Sequence, residues 1–207
     1  LDYLEENGLS ENTIVVYTSD QGFYLGEHGW FDKRWMYEES FKMPFVIKNP
    51  RIIEPGTTSD AMVMNVDFAP TLLDMAGLEI PSQMQGKSFK EAFEGKNIKN
   101  RKSVYYHYYE WPIWHKVQPH YGIRTDRYKL MHFYYSMDEW ELYDLKKDPN
   151  EMNNIYSEAP AELIESLKKE LQDLRKKYKD DGSIEEMRRM TDTVIRRVYN
   201  EPNKIMK

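Results

Sequence analysis

The sequence predicts an α/β chain: a mixed sheet with flanking helices over the first hundred residues, then a small antiparallel sheet packed by a C-terminal helix. Three observations predict it. Apolar, β-branched runs at 13–18 and 44–48 alternate with helix-like segments at 1–7, 33–40 and 66–77, the pattern of strands and helices wound together. Aromatic and β-branched residues crowd into four short runs between 103 and 145. From Pro160 to Tyr178, Leu163, Leu167, Leu171 and Leu174 recur at helical spacing, a stripe that should pack on the sheet.

In order along the chain, Leu1 to Asn7 reads as a helix that leads into the first strand. Ile14-Val15-Val16-Tyr17 fits a strand covered on both faces, and in open α/β sheets ligands gather beyond the carboxyl ends of such strands. The loop that follows contains Gly22, Gly26 and Gly29, whose backbone freedom allows a tight fold before a helix over 33–40 and a strand over 44–48. Met62-Val63-Met64 reads as a short strand, and a helix over 66–77 begins at Asp67, carries Pro70 in its first turn and ends at Gly77. A polar, turn-rich stretch, Glu94 to Asn100, then separates two regions. The runs 103–109, 120–125, 128–134 and 140–145 read as antiparallel strands, with Asp126-Arg127 as a hairpin turn and Asp148-Pro149-Asn150-Glu151 as the stop. Beyond the leucine-striped helix, Ile184, Met187, Val194 and Val198 give a weaker stripe, either a frayed end or a docking helix. The expected organisation is therefore 1–100, 101–182 and a charged helical tail over 183–207.

Composition narrows the function classes. The 207 residues carry 29 Lys and Arg against 35 Asp and Glu, a modestly acidic balance of mixed signs that argues against nucleic acid as the main partner. No run of eighteen apolar residues exists to span a membrane. The chain has no cysteine, so disulfides and cysteine-ligated zinc are excluded.

The candidate chemistry lies at the end of the first strand. Asp20 offers a carboxylate and Gln21 an amide carbonyl, hard oxygen donors of the kind Ca²⁺ or Mg²⁺ prefers, and Lys33 follows in the glycine-containing loop as a cation for an anion. Taken alone, Asp20-Gln21-Gly22 reads equally as an ordinary turn and Lys33 as a solvated charge. His28 is a candidate general acid, although a lone histidine in such a loop more often packs it. A second cluster, from Tyr105 to His120, joins aromatic faces that can stack on sugar rings with histidines that can bond hydroxyls. Core packing is the favoured reading for Val104 to Tyr108, and the two readings stand level for Glu110 to His120. Within it Trp114, His115 and above all His120 are candidate substrate contacts; Arg124 is a further candidate, or the partner of a structural carboxylate.

Several motifs occur in a recognisable order. They are Ser19-Asp20-Gln21-Gly22, Leu25-Gly26-Glu27, Lys33-Arg34-Trp35-Met36-Tyr37-Glu38, the strand Pro44-Phe45-Val46-Ile47, Val66-Asp67 through Gly77-Leu78, and Gln85-Gly86-Lys87-Ser88-Phe89. Farther on come Tyr121-Gly122-Ile123-Arg124-Thr125, Tyr128-Lys129-Leu130, Trp140 to Leu145 and Asp148-Pro149-Asn150-Glu151. From about residue 1 to about residue 180 the chain resembles the C-terminal portion of the formylglycine-dependent sulfatases of the alkaline-phosphatase-like superfamily. The resemblance implies the C-terminal part of an alkaline-phosphatase-like mixed sheet, followed by the family's small antiparallel subdomain.

It also implies metal-assisted hydrolysis of a sulfate ester on a carbohydrate. Asp20 and Gln21 would correspond to two ligands of one Ca²⁺, with Mg²⁺ or Mn²⁺ as alternatives, and Lys33 to a sulfate-binding cation that stabilises the leaving oxygen. The wording Trp30-Phe31-Asp32-Lys33-Arg34 leans toward the glycosaminoglycan and mucin-type members, with an N-acetylglucosamine 6-sulfate unit as the substrate. The family's nucleophile motif, a Cys or Ser later converted to formylglycine, does not occur here, nor does its early paired-aspartate strand. The chain is therefore expected to be part of a larger protein whose N-terminal half supplies the formylglycine and the other metal ligands. By itself it is expected to be inactive, and to pair with that half or self-associate so as to cover its open sheet. The expected compartment is periplasmic, secreted or lysosome-like. Two alternatives are a phosphodiester or phosphonate monoester hydrolase of the same superfamily, against which Gln21 in place of a histidine argues, and a noncatalytic carbohydrate-binding fragment.

Overall fold

The computed structural model describes residues 1–96, 98, 101–111 and 115–200, and it divides into two units. The first comprises Leu1–Gly22 and Lys42–Lys102, the second Phe23–Phe41 and Ser103–Lys207.

In the first unit a short helix α1 (Asp2–Glu6) leads to β1 (Val15–Thr18), which pairs antiparallel with β4 (Phe45–Lys48) in the register Val15↔Lys48 to Thr18↔Phe45. The first strand is not covered on both faces as its apolar run suggested. Val16 and Tyr17 are 41% and 67% exposed and Val46 63%, because no other described strand joins this pair. The helix expected over 66–77 is a 3₁₀ turn (Asn65–Asp67) followed by α3 (Phe68–Met75), and Gly77 at φ 70° ends it. A short helix α4 (Lys90–Phe93) completes the unit.

Asp67 is its buried anchor. The carboxylate accepts the Met64 and Lys87 amides, each at 2.8 Å, and a two-pronged bond from the Arg101 guanidinium. Burial works against its ionisation, but those donors outweigh burial and lower its pKa. The same contacts explain why Met62-Val63-Met64 is not a strand: the Met62 carbonyl and the Met64 amide are taken by Arg101 and Asp67 instead of a neighbouring strand.

The second unit is organised by a four-stranded antiparallel meander, β5 (Ser103–Tyr108), β6 (His120–Thr125), β7 (Tyr128–Phe133) and β8 (Glu139–Asp144), in that spatial order. Alternation along each strand gives the sheet two faces. Tyr105 and His107 of β5, Tyr121 and Ile123 of β6, Leu130 of β7, and Trp140 and Leu142 of β8 fall on one of them. That face packs against Leu163, Leu167, Leu171 and Leu174 of α5 (Ala161–Lys177) and Ile184 and Met187 of α6 (Ile184–Asn200). The leucine stripe thus covers the sheet as its spacing predicts, and the tail is a docked helix over its first turns.

Asp180 clasps the α5–α6 connection to β5, accepting from Tyr105 Oη and Tyr109 Oη at 2.5 Å each and contacting His107 Nδ1 at 2.7 Å. Arg175, nearly buried, bonds the Asp180 and Gly182 carbonyls and lies over the Tyr121 ring.

The opposite face carries Val104, Tyr106 and Tyr108, then His120, Gly122 and Arg124, then Lys129, Met131 and Phe133, with Glu141 and Tyr143 of β8. It is covered by Phe23–Phe41, a segment that lies within the first hundred residues of the sequence yet belongs to the second unit. That segment opens with a hairpin, β2 (Tyr24–Leu25) and β3 (Phe31–Asp32), and Tyr24, Trp35, Met36 and Tyr37 sink into the same core as Met131, Phe133 and Tyr143. The helix expected over 33–40 shrinks to α2 (Glu38–Phe41). The reason is local: Arg34 sits at φ 142°, outside any helix, and three successive side chains, Trp35 to Tyr37, are all buried. Gly122 marks a close approach, since a Cβ there would stand 2.5 Å from Met36 Sδ and 2.4 Å from the Leu130 carbonyl oxygen.

Candidate functional site

Asp20 and Gln21 follow β1 in the first unit. Ser19 Oγ donates to the Gln21 carbonyl at 2.9 Å, and Asn65 Nδ2 donates to the Asp20 carbonyl at 3.3 Å, forming a tight turn. It presents an exposed carboxylate beside a half-buried amide. Among the described residues no group of three His, Cys, Asp or Glu side chains is gathered to hold a metal ion. The donor chemistry of the pair nevertheless suits Ca²⁺, which takes roughly six to eight oxygens and could draw two of them from this turn.

Lys33 belongs to the second unit, half-buried at the end of the β2–β3 hairpin. Its neighbours on both sides have left-handed backbones, Asp32 at φ 80° and Arg34 at φ 142°. Each such non-glycine residue costs about 1–3 kcal/mol and persists only where surrounding contacts over-determine it. Those contacts are visible. Tyr106 Oη donates to the Arg34 carbonyl at 2.7 Å, Tyr24 Oη to the Trp35 carbonyl at 3.3 Å, and Tyr37 Oη to Glu141 Oε2 at 2.8 Å. Tyr143 Oη reaches the same Glu141 oxygen at 2.9 Å, and burial raises the pKa of that carboxyl despite both donors.

Glu38, next along the segment, enters a buried charge cluster. Lys129 Nζ, wholly buried, lies 2.9 Å from Glu38 Oε1 and 2.7 Å from Glu151 Oε1, while the Glu38 amide donates to Glu151 Oε2 at 2.7 Å. Arg124 adds Nη2 at 3.3 Å from Glu38 Oε2. Burial opposes the charge on both carboxylates. Lys129 and Arg124 overcome it at Glu38, holding that pKa down at about 2, whereas at Glu151 burial prevails and raises the pKa.

The remaining sequence candidates divide. Arg124 is a structural ion-pair partner of Glu38, not a group aimed at solvent. His120 is sealed at 0% exposure among Trp35, Tyr106, Tyr108 and Phe133, so the expected substrate contact gives way to a core role. Its Nδ1 contacts the Gln118 carbonyl at 2.8 Å, and burial lowers its pKa to about 4, keeping the ring neutral at physiological pH. His28, at φ 53°, stacks on Tyr37 with ring centroids 4.4 Å apart and sets Nε2 3.3 Å from Glu39, the geometry of a loop-packing group. Trp114 lies outside the described residues.

His115 joins a cluster that sequence reasoning missed. Its Nδ1 stands 3.3 Å from Asp32 Oδ2 and its Nε2 2.8 Å from Arg34 Nη2, so residues on either side of Lys33 are linked through one imidazole. In the sequence Asp32 and Arg34 stand out only as neighbours of the lysine. Nothing in their spacing points to a histidine 81 residues beyond Arg34.

Comparison with known proteins places these features in a family. Residues 26–177 match the family model described as N-sulphoglucosamine sulphohydrolase, C-terminal. The chain belongs to this sulfatase family. It is 56% identical over 189 residues to the N-acetylglucosamine-6-O-sulfatase of Bacteroides thetaiotaomicron, covering 89% of this chain and 34% of that protein. It is 33% identical to an arylsulfatase of Clostridium perfringens, covering 87% of this chain and 38% of the relative. A solved structure described as a complex with its substrate D-glucosamine-2-N,6-O-disulfate superposes with a TM-score of 0.84 at 56% identity, over 89% of this chain and 38% of that one. The sulfatase chain thus spans about a third of the length of the curated relatives it matches. Its α/β fold, with a small antiparallel sheet and packed C-terminal helix, is that of the sulfatase C-terminal region.

Proposed function

We propose that this chain forms the C-terminal third of a sulfatase that hydrolyses sulfate esters on glucosamine units of a glycosaminoglycan or mucin-type carbohydrate, with the 6-O-sulfate as the scissile group. The observation that carries the reading is the 56% identity, over 89% of the chain, to an N-acetylglucosamine-6-O-sulfatase. The hydrogen-bonded Asp20-Gln21 turn and Lys33, flanked on both sides by residues of positive φ, support it.

A sulfate ester leaving group gains negative charge as its S–O bond breaks, and a fixed ammonium in a partly dry site favours that charge over bulk water. Lys33 is suited to the task, because the backbone on both sides of it is held in place and its side chain is half-buried. Asp20 and Gln21 would hold two of the oxygen positions around a Ca²⁺ ion, which supplies charge stabilisation to the sulfate when bound. The formylglycine nucleophile and the remaining metal ligands would come from the part of the enzyme outside these residues.

Within the second unit, the Asp32–His115–Arg34 cluster offers a carboxylate, an imidazole and a guanidinium, donors and acceptors suited to sugar hydroxyls. The exposed apolar residues of β1 and β4, Val16, Tyr17 and Val46, suit burial against the N-terminal part of the same enzyme, in a periplasmic, secreted or lysosome-like setting.

The test is sulfate release by the enzyme that contains this chain, assayed on N-acetylglucosamine 6-sulfate and on glucosamine-2-N,6-O-disulfate, with Lys33→Ala and Asp20→Asn as variants. Release from the 6-O position that collapses in both variants supports the reading. Failure to act on either sugar, or a fully active Lys33→Ala enzyme, would overturn it.

A further inference from the structure

The strained backbone around Lys33 is secured from the second face of the antiparallel sheet as well as from the hairpin that carries the lysine. The Arg34 carbonyl, one peptide beyond Lys33, is taken by the hydroxyl of Tyr106 in the middle of β5 at 2.7 Å, and the Trp35 carbonyl by Tyr24 at 3.3 Å. Tyr106 is itself braced, its ring edge-on to Phe41 with centroids 5.0 Å apart and against His120 at 5.7 Å. Arg34 at φ 142° cannot relax into an ordinary conformation while that carbonyl is held, and its side chain is tied again through His115 to Asp32.

From this arrangement we infer that Tyr106 is a positioning residue for catalysis: by holding the Arg34 carbonyl it fixes the direction in which Lys33 presents its ammonium. The inference rests on the assignment of Lys33 as the sulfate-binding cation above. Tyr106 touches neither substrate nor metal in this scheme, and it acts only through the backbone beside the lysine. Among the described residues its hydroxyl makes no other hydrogen bond, so removing the oxygen frees the carbonyl while leaving the ring in its packing.

The experiment is steady-state kinetics of the whole enzyme on N-acetylglucosamine 6-sulfate for Tyr106→Phe, Lys33→Ala and the double variant. Tyr135→Phe, whose hydroxyl bonds exposed Asp192 and lies outside the site, serves as the control. Tyr106→Phe is expected to lower kcat by about tenfold, the scale of a small misalignment of a charge-stabilising group, with KM changed by less than about twofold and the thermal midpoint kept. In the Lys33→Ala background the same change should lower the residual rate by less than about twofold, since the group being aimed is gone.

Full kcat in Tyr106→Phe, or an undiminished further fall in the Lys33→Ala background, would overturn the inference while leaving the sulfatase reading intact. A fully active Lys33→Ala enzyme would instead overturn the reading on which it rests. If Tyr106→Phe fails to fold, Tyr24→Phe, which frees the Trp35 carbonyl, is held to the same criteria.

Discussion

Lys129→Met is the perturbation that most directly tests the architecture around the candidate site. Lys129, the second residue of β7, is fully buried, and its ammonium stands 2.9 Å from Glu38 and 2.7 Å from Glu151. At an effective dielectric of about 20, each contact is worth roughly 6 kcal/mol of Coulomb attraction, most of it offset by the cost of burying three charged groups. Removing the lysine does not return that cost. It leaves two carboxylates facing each other in the core, with Arg124 compensating only Glu38. Methionine matches the stem in volume, so the expected loss, about 3–5 kcal/mol, is that of a broken buried pair. For a chain of this size the loss corresponds to a fall of roughly 6–20 °C in thermal midpoint.

The pH dependence separates this account from a simple packing defect. In the parent protein the Glu38 pKa is held at about 2, below its unfolded value, so its contribution is complete at neutral pH and is lost only as the solution is acidified through that range. Without Lys129 both carboxyls should lie above their unfolded values. The folded state then binds more protons than the unfolded state, and the deficit should shrink between pH 8 and pH 5. Denaturant and thermal midpoints at both pH values read the effect, and Glu151→Gln added to Lys129→Met should recover part of it. A loss below about 1 kcal/mol, or a deficit that grows on acidification, would refute the reasoning.

Two further outcomes follow from the same unit. Gly122→Ala should cost about 1–3 kcal/mol and, if the proposed function holds, lower sulfate release by the enzyme that contains this chain, because the new methyl meets the Leu130 carbonyl and Met36 Sδ and pushes the Lys33 segment off the sheet; circular dichroism melts and sulfate release measure both effects. Asp180→Asn should cost roughly 1–3 kcal/mol above pH 5, since the carboxylate, its pKa lowered by His107, Tyr105 and Tyr109 against the opposing effect of burial, clasps the helices to β5. A lowered carboxylate pKa means stability that is fully present above the unfolded value of about 3.8 and is lost only as pH falls on through the much lower folded value, so the gap between parent and variant should begin to narrow below about pH 4 and go on narrowing with further acidification; a gap that does not narrow between pH 5 and pH 2 would count against the clasp.

The sequence by itself determined the local elements and the family. Alternation at 103–145 specified four strands with two faces, the leucine stripe specified the helix that covers one face, and Gly77 specified where α3 stops, because each depends on a periodicity or a backbone freedom written in adjacent residues. The ordered motifs from Ser19 to Glu151 are enough to place the chain among the sulfatases without its fold.

Only the tertiary structure decided what lies over the second face. Period-two alternation says that His120 and Arg124 share a side of β6, but not that the distant segment Phe23–Phe41 covers that side and turns one into a core group and the other into an ion-pair partner. The same limit hid the Asp32–His115–Arg34 cluster and the Tyr106 bond to the Arg34 carbonyl, whose partners are separated by 72 residues or more. It also misdirected the helix over 33–40, where burial of Trp35, Met36 and Tyr37 against the sheet overrode local propensity. Such contacts are set by burial and long-range pairing, and local pattern carries no record of them.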